Sequence, residues 1–263
     1  MKIAAFALAL LTLCSIAYAG PERYSGKEMK QVAPAPVVEC PNWTGFYAGG
    51  FGGYKYGLVN SDMDLFGDWG GFPEVPGLES AGSEDLDSSG AEAGGLIGYN
   101  YQWHNWVFGA EAAGGYLWLR DSNQTGILTN GGNGNTYDVS TSFKTHYLAT
   151  FGPRIGYALC NWLPYITGGL ALGDLDFFQQ INEHNTFFRQ GGSRSENNVG
   201  WMVGGGMQYA LTHHLSLRGQ YEYVDLGSVG FDTKGTSPFP GFIGHSEAEL
   251  REHNVSLAVI YQF

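Results

Sequence analysis

Four charged residues interrupt segments that are otherwise apolar or glycine-rich: Glu111, Arg154, Arg218 and Glu222. Glu111 alternates with Gly109 and Ala113, while Phe108, Ala110 and Ala112 hold the positions between. Arg154 and Gly156 alternate with Ile155 and Tyr157; Arg218, Gln220 and Glu222 alternate with Leu217, Tyr221 and Tyr223. In a strand, successive side chains point to opposite faces, so each charge falls on the face away from the apolar row. Two acids and two bases on enclosed faces can form ion pairs or line an ion path. A buried charge without a partner costs several kcal/mol, so the spacing predicts a Glu–Arg network. Gln208, Gln220 and Asn254 are candidate further members.

Other residues offer weaker chemistry. Positions 60–92 hold Asp62, Asp64, Asp68, Glu74, Glu79, Glu84, Asp85, Asp87 and Glu92, with no Lys or Arg. Asp85, Asp87, Ser89 and Gly90 imitate the start of a calcium loop. Leu96 stands where the bidentate Glu is needed, and Asp62-Met63-Asp64 fails likewise at Phe66. The segment is expected to be a solvated acidic loop. The histidines (His104, His146, His184, His213, His214, His245, His253) fall at no recognised metal spacing. No Gly-x-Ser-x-Gly or His-Glu-x-x-His is present, and Gly131-Gly132-Asn133-Gly134 reads as a loop tip, not a phosphate cradle. The expectation is therefore no catalytic residue, no metal and no cofactor, so not an enzyme.

The elements that position the four charges read as strands. Alternation spans residues 44–56, 93–102, 106–119, 143–159, 163–173, 199–211, 215–226 and 250–263. Short turns lie at His104-Asn105, Cys160-Asn161-Trp162 and Thr212-His213-His214, and long polar connections near 60–92, 120–142, 174–198 and 227–249. Pro153 removes a ladder donor within its strand, which predicts a bulge there or a later strand start. In the last strand Val255, Leu257, Val259, Tyr261 and Phe263 share one wholly apolar face. An apolar edge left bare invites aggregation; a closed barrel has no edge, and lipid is the natural solvent for such a face. Trp43, Trp103, Trp106, Trp118, Trp162, Tyr261 and Phe263 lie near strand ends, where interfacial girdles form. Short turns alternating with long loops across an even number of strands predict an all-β, eight-stranded antiparallel up-and-down transmembrane β-barrel.

The remaining composition agrees. The chain has 41 Gly, 15% aromatic residues and only 14% charged residues, with a formal net charge of −12. Charged content is below the ~25% of ordinary soluble domains. So acidic a chain is unsuited to nucleic acid and suits a surface whose anions are bridged by divalent cations. Met1-Lys2, an apolar run over 3–13 and Ala17-Tyr18-Ala19 before Gly20 form a secretory signal pattern. The run is shorter than the ~20 residues of a spanning helix, so 1–19 is read as a cleaved signal peptide. Residues 20–43, with Val32-Ala33-Pro34-Ala35-Pro36, read as a periplasmic lead-in, and 44–263 as the barrel. Cys14 leaves with the signal; Cys40 and Cys160 remain as an even pair in an oxidising compartment, and a Cys40–Cys160 disulfide is expected.

Several stretches carry a resemblance: Trp43-Thr44-Gly45-Phe46-Tyr47-Ala48-Gly49, Gly98-Tyr99-Asn100-Tyr101-Gln102, Val107-Phe108-Gly109-Ala110-Glu111, Arg154-Ile155-Gly156-Tyr157-Ala158, Asn161-Trp162-Leu163-Pro164-Tyr165, Gly200-Trp201-Met202-Val203-Gly204-Gly205-Gly206, Tyr221-Glu222-Tyr223-Val224-Asp225-Leu226-Gly227 and the terminal strand. Together they resemble the small outer-membrane β-barrel family that includes opacity-type surface proteins. The resemblance implies a Gram-negative outer membrane, contact with its lipids and lipopolysaccharide, and delivery to the barrel-assembly machinery through Tyr261 and Phe263. Surface ligands are expected at the long loops, where Phe66, Trp69, Phe72, Phe177, Phe178, Phe187, Phe188, Phe239 and Phe242 are candidate contacts, with packing among the loops themselves as the alternative. An eight-stranded lumen is just wide enough to be filled by side chains, whereas sieving pores need 16–18 strands. A structural or surface-interaction role is therefore expected first, and a narrow solute or ion channel second.

Overall fold

Alternation of large outward residues with small or polar inward ones carries most of the chain into long strands. The computed structural model describes residues 40–83, 85–129, 135–185 and 188–263. The leader over 1–19, the lead-in up to 39, Glu84, the tip at Gly131-Gly132-Asn133-Gly134 and Phe187 lie outside the described residues, as do the side chains of Asp85 and Asp87.

The strands are β1 (Gly45–Gly67), β2 (Asp85–Trp103), β3 (Trp106–Gln124), a two-residue β4 (Leu128–Thr129), β5 (Thr136–Tyr157), β6 (Trp162–Glu183), β7 (Arg189–Ala210), β8 (Leu215–Lys234) and β9 (Phe242–Gln262). Eight of them form an antiparallel ring in which each sequential pair is hydrogen-bonded, β1 closes on β9, and β3 pairs with β5 across the short β4 excursion. The β1–β9 seam runs from Tyr47↔Gln262 to Gly67↔Phe242, so this closure leaves neither strand an open edge. One short helix, α1 (Val75–Gly82), lies between β1 and β2, with Pro at its start, where a missing N–H costs nothing. The turn ends are tight: His104 has φ 57° and Cys160 φ 53°, both left-handed.

The strands are longer than the sequence suggests. The ring strands have 19 to 23 residues, whereas ~9–11 suffice to cross a bilayer. The expected loop over 60–92 contracts to 68–84, because β1 continues to Gly67 and β2 begins at Asp85. The connections expected over 120–142, 174–198 and 227–249 shorten in the same way. The ladder also handles Pro153 differently from expectation. β5 runs straight through it, and its pairing with β6 lapses between Phe151↔Leu170 and Arg154↔Thr167 without a change of register. The bulge in β5 lies instead between Lys144 and Leu148.

Polarity explains the extra length. Near the short turns, Val255, Leu257, Val259 and Tyr261 are exposed on the outer wall while Ser256, Ala258 and Ile260 face the axis. Further along the same strand the pattern reverses: Glu247, Glu249 and Arg251 face out while Ala248 and Leu250 are buried. β7 repeats this, from outward Val203, Trp201 and Val199 to outward Asn197, Ser195 and Ser193. One end of the barrel thus has an apolar wall; the other continues beyond it with a wall that suits water.

Candidate functional site

The interior is a stack of side-chain layers. Lowest, at the short-turn end, Trp43 is 2% exposed and packs with Val107, Ala158, Leu163 and Ala210. Its backbone N–H donates to Gln102 Oε1 (2.8 Å). Trp43 therefore plugs the mouth and takes no part in the lipid-facing girdle, in contrast to Trp103, Trp106, Trp118 and Trp162, which are exposed. It precedes β1, so strand alternation never applied to it. Next to this mouth Cys40 and Cys160 are joined, with Cα atoms 4.6 Å apart, which ties the segment before β1 to the β5–β6 turn.

The second layer is ionic. Arg154 Nη1 and Arg218 Nη1 both donate to Glu111 Oε2, at 3.1 and 2.6 Å, and the Tyr47 hydroxyl donates to the same oxygen at 2.7 Å. The Arg154 guanidinium lies 3.9 Å from the centroid of the Tyr165 ring, a cation–π contact, and its Nη2 donates to Gln208 Oε1 at 3.3 Å. Glu111, Arg154 and Arg218 are thus one cluster, two bases on one acid. Glu222 faces the same lumen but reaches it through amides: Gln220, which accepts from Tyr165 OH, donates to Glu222 Oε1, and Asn254 Nδ2 donates to Oε2 at 3.4 Å.

A third layer, also ionic, lies outside the network expected from the sequence. Lys55, with no exposed surface, lies 3.0 Å from Glu252 and 3.4 Å from Glu92. Glu92, read from sequence as an acidic-loop residue, is a lumen residue of β2. Lys55 alternates in phase with Tyr47, Phe51 and Gly53 inside the expected 44–56 strand, and that phase is the signal in the sequence that it faces the lumen. Between the two ionic layers lies a cavity of about 20 Å³ bordered by Glu92, Arg218, Gln220, Glu222 and Asn254, room for about one water.

Beyond the ions the lumen becomes apolar. Val59, Leu117, Phe143, Leu148, Leu175, Phe177, Val224, Leu226, Phe231 and Leu250 fill it. At the far mouth Trp69, Leu78, Tyr137, Val139, Ile181 and Phe188 form a cap. Trp69 lies edge-on to Phe188 and Phe242, with centroids 5.6 and 4.9 Å apart, and its Nε1 donates to Gln190 Oε1 at 2.8 Å. α1 belongs to this cap: Gln179 Nε2 donates to the Gly82 carbonyl at 2.8 Å. Several aromatics read as free loop contacts thus pack on each other instead, while Phe66, Phe72, Phe178 and Phe239 keep substantial exposure.

A closed antiparallel ring with an apolar outer band and ions inside defines a transmembrane β-barrel of the outer-membrane type. The outer membrane protein beta-barrel domain model matches residues 6–263, and the chain belongs to that family. It is 27% identical over 231 residues to the 31 kDa outer-membrane immunogenic protein of Brucella melitensis biotype 1, covering 87% of each chain. It is 28% identical over 208 residues to the 22 kDa outer membrane protein of Rhizobium leguminosarum bv. viciae, covering 79% of this chain and 76% of that one. Among solved structures, Ail of Yersinia pestis in complex with sucrose octasulfate aligns with 15% identity and a TM-score of 0.33, over 81% of this chain and 99% of that one. The protein is an outer-membrane β-barrel of a Gram-negative bacterium.

Proposed function

We propose that this barrel is a non-enzymatic, non-conducting surface scaffold: the strands anchor it, and the end that carries α1 and the aromatic cap meets the cell's surroundings. The observation that carries this reading is the filled lumen, closed in turn by Trp43, by two ionic layers, by the apolar plug and by the aromatic cap. On this reading 1–19 is a signal peptide removed on export, 20–43 a periplasmic lead-in and 44–263 the barrel. Outer-membrane lipids and lipopolysaccharide cover the apolar band. Tyr261 and Phe263, both exposed at the short-turn rim, are contacts for the assembly machinery, and surface ligands engage the outer connections.

Planar-bilayer recording of the refolded chain is expected to give no conductance steps above background. Discrete steps from the wild-type protein that disappear in a Glu111→Ala variant with a folded gel mobility would favour the narrow channel. The channel reading has one feature in its support: Glu92, Glu111, Glu222 and Glu252 face Lys55, Arg154 and Arg218 in the lumen, a balance that would select cations. Peptide mapping without reductant is expected to recover Cys40 and Cys160 in one linked pair, and two free thiols would remove the proposed staple.

A further inference from the structure

One cluster on the outer wall belongs neither to the lumen nor to the cap. His146 sits in the β5 bulge, where the ladder to β6 steps from Lys144↔Asp176 to Leu148↔Gly173 and so holds one extra residue. A bulge re-aims a side chain, and here it turns His146 toward two carboxylates of β6. Asp174 and Asp176 both face outward, since Leu175 between them is fully buried. Asp174 Oδ1 accepts the backbone N–H groups of His146 (2.8 Å) and Tyr147 (2.9 Å). That orients the carboxylate and presents Oδ2 to His146 Nδ1 at 2.6 Å. Asp176 Oδ2 lies 3.7 Å from the same nitrogen. The three ligand atoms fall within 4.8 Å of one another.

We propose that His146, Asp174 and Asp176 form a divalent-metal site of the zinc type on the outer wall, just beyond the lipid-facing band. Bonds of 2.0–2.2 Å in a tetrahedral site hold the donors roughly 3.3–3.6 Å apart, and the observed 2.6 and 3.7 Å separations bracket that span. The shorter one is a hydrogen bond whose proton the metal replaces. An imidazole nitrogen with two carboxylates suits zinc, whereas calcium and magnesium take oxygen ligands throughout. All three residues lie on paired strands, which fixes them better than a loop would. His146 and Asp176 stay partly exposed, so the fourth position opens outward. Lys144, opposite Asp176 in the ladder, is the ammonium that the ion has to outcompete.

Isothermal titration of the detergent-folded full chain with zinc chloride, and separately with calcium chloride, tests the site. One equivalent of zinc is expected to bind, calcium much more weakly, and His146→Ala and Asp176→Asn should each weaken zinc by about tenfold or more. Both substitutions face outward, and unchanged heat-dependent gel mobility verifies that the variants fold. Equal zinc affinity in wild type and both variants, or calcium binding as tightly as zinc, would overturn the proposal.

Discussion

Replacing Glu111 by alanine lowers the barrel's unfolding free energy by about 3–5 kcal/mol, the cost of stranding a buried charge. Glu111 is the single acid of the lower ionic layer: two guanidinium groups and one phenol converge on its Oε2. The side chains of Arg154 and Arg218 are only 2% and 3% exposed, so neither reaches water when the carboxylate is removed. Glu222→Ala is the matched control. Its carboxylate accepts from the amides of Gln220 and Asn254, so its removal leaves neutral donors short of a partner, at about 1–3 kcal/mol. Urea titration of the folded barrel in lipid vesicles, read by gel mobility, compares the two. If both variants unfold at the same urea concentration, the lower layer is not organised around Glu111. The triple variant Glu111→Ala, Arg154→Met, Arg218→Met should recover much of the loss, because an apolar replacement of a buried ionic triad removes the stranded charge altogether.

The sequence made the barrel legible where its wall meets lipid and misled where the wall meets water. From Val255 to Phe263, odd-numbered residues are apolar and face out. Before that, Ala248 and Leu250 are the apolar ones and they face in. Nothing breaks in the backbone; the medium outside changes from lipid to water, and the apolar face moves to the other side of the same strand. Read as periodicity, that phase reversal looks like the end of a strand, so the expected strand stops at Tyr56 where β1 continues to Gly67. Lys55 lies inside the expected 44–56 strand yet outside the expected charge network, and Glu92 reads as the last residue of an acidic loop although it is a lumen residue of β2. Phe177, read as a loop contact, is an inward residue of β6 packed on Phe231, with centroids 5.5 Å apart. The ionic residues recognised from sequence all lie on the lipid-bounded side of the reversal. Trp43 and His146 were illegible for another reason: one precedes the first strand and the other sits in a bulge, so strand alternation could place neither.

The reversal itself can be tested by carrying one substitution along one strand. Val259→Arg puts a guanidinium on the outer wall in the middle of the apolar run Val255, Leu257, Val259, Tyr261, where Val259 is 52% exposed. Arginine at the bilayer midplane of such a wall costs about 2–4 kcal/mol. Glu247→Arg puts the same group on the same face of β9 beyond the reversal, level with Asp62 of β1 and Gly230 of β8. Water reaches that position, so the change should stay within about 0.5 kcal/mol. Both variants are measured by vesicle refolding against urea, with detergent micelles as a second medium. The Val259→Arg penalty is expected to shrink in micelles, whose softer apolar shell lets the long side chain reach water. Equal penalties at the two positions would mean that the membrane boundary does not fall between His253 and Val255. The surface end of the barrel would then have to be placed afresh, because the exposure of the outer connections depends on where lipid stops.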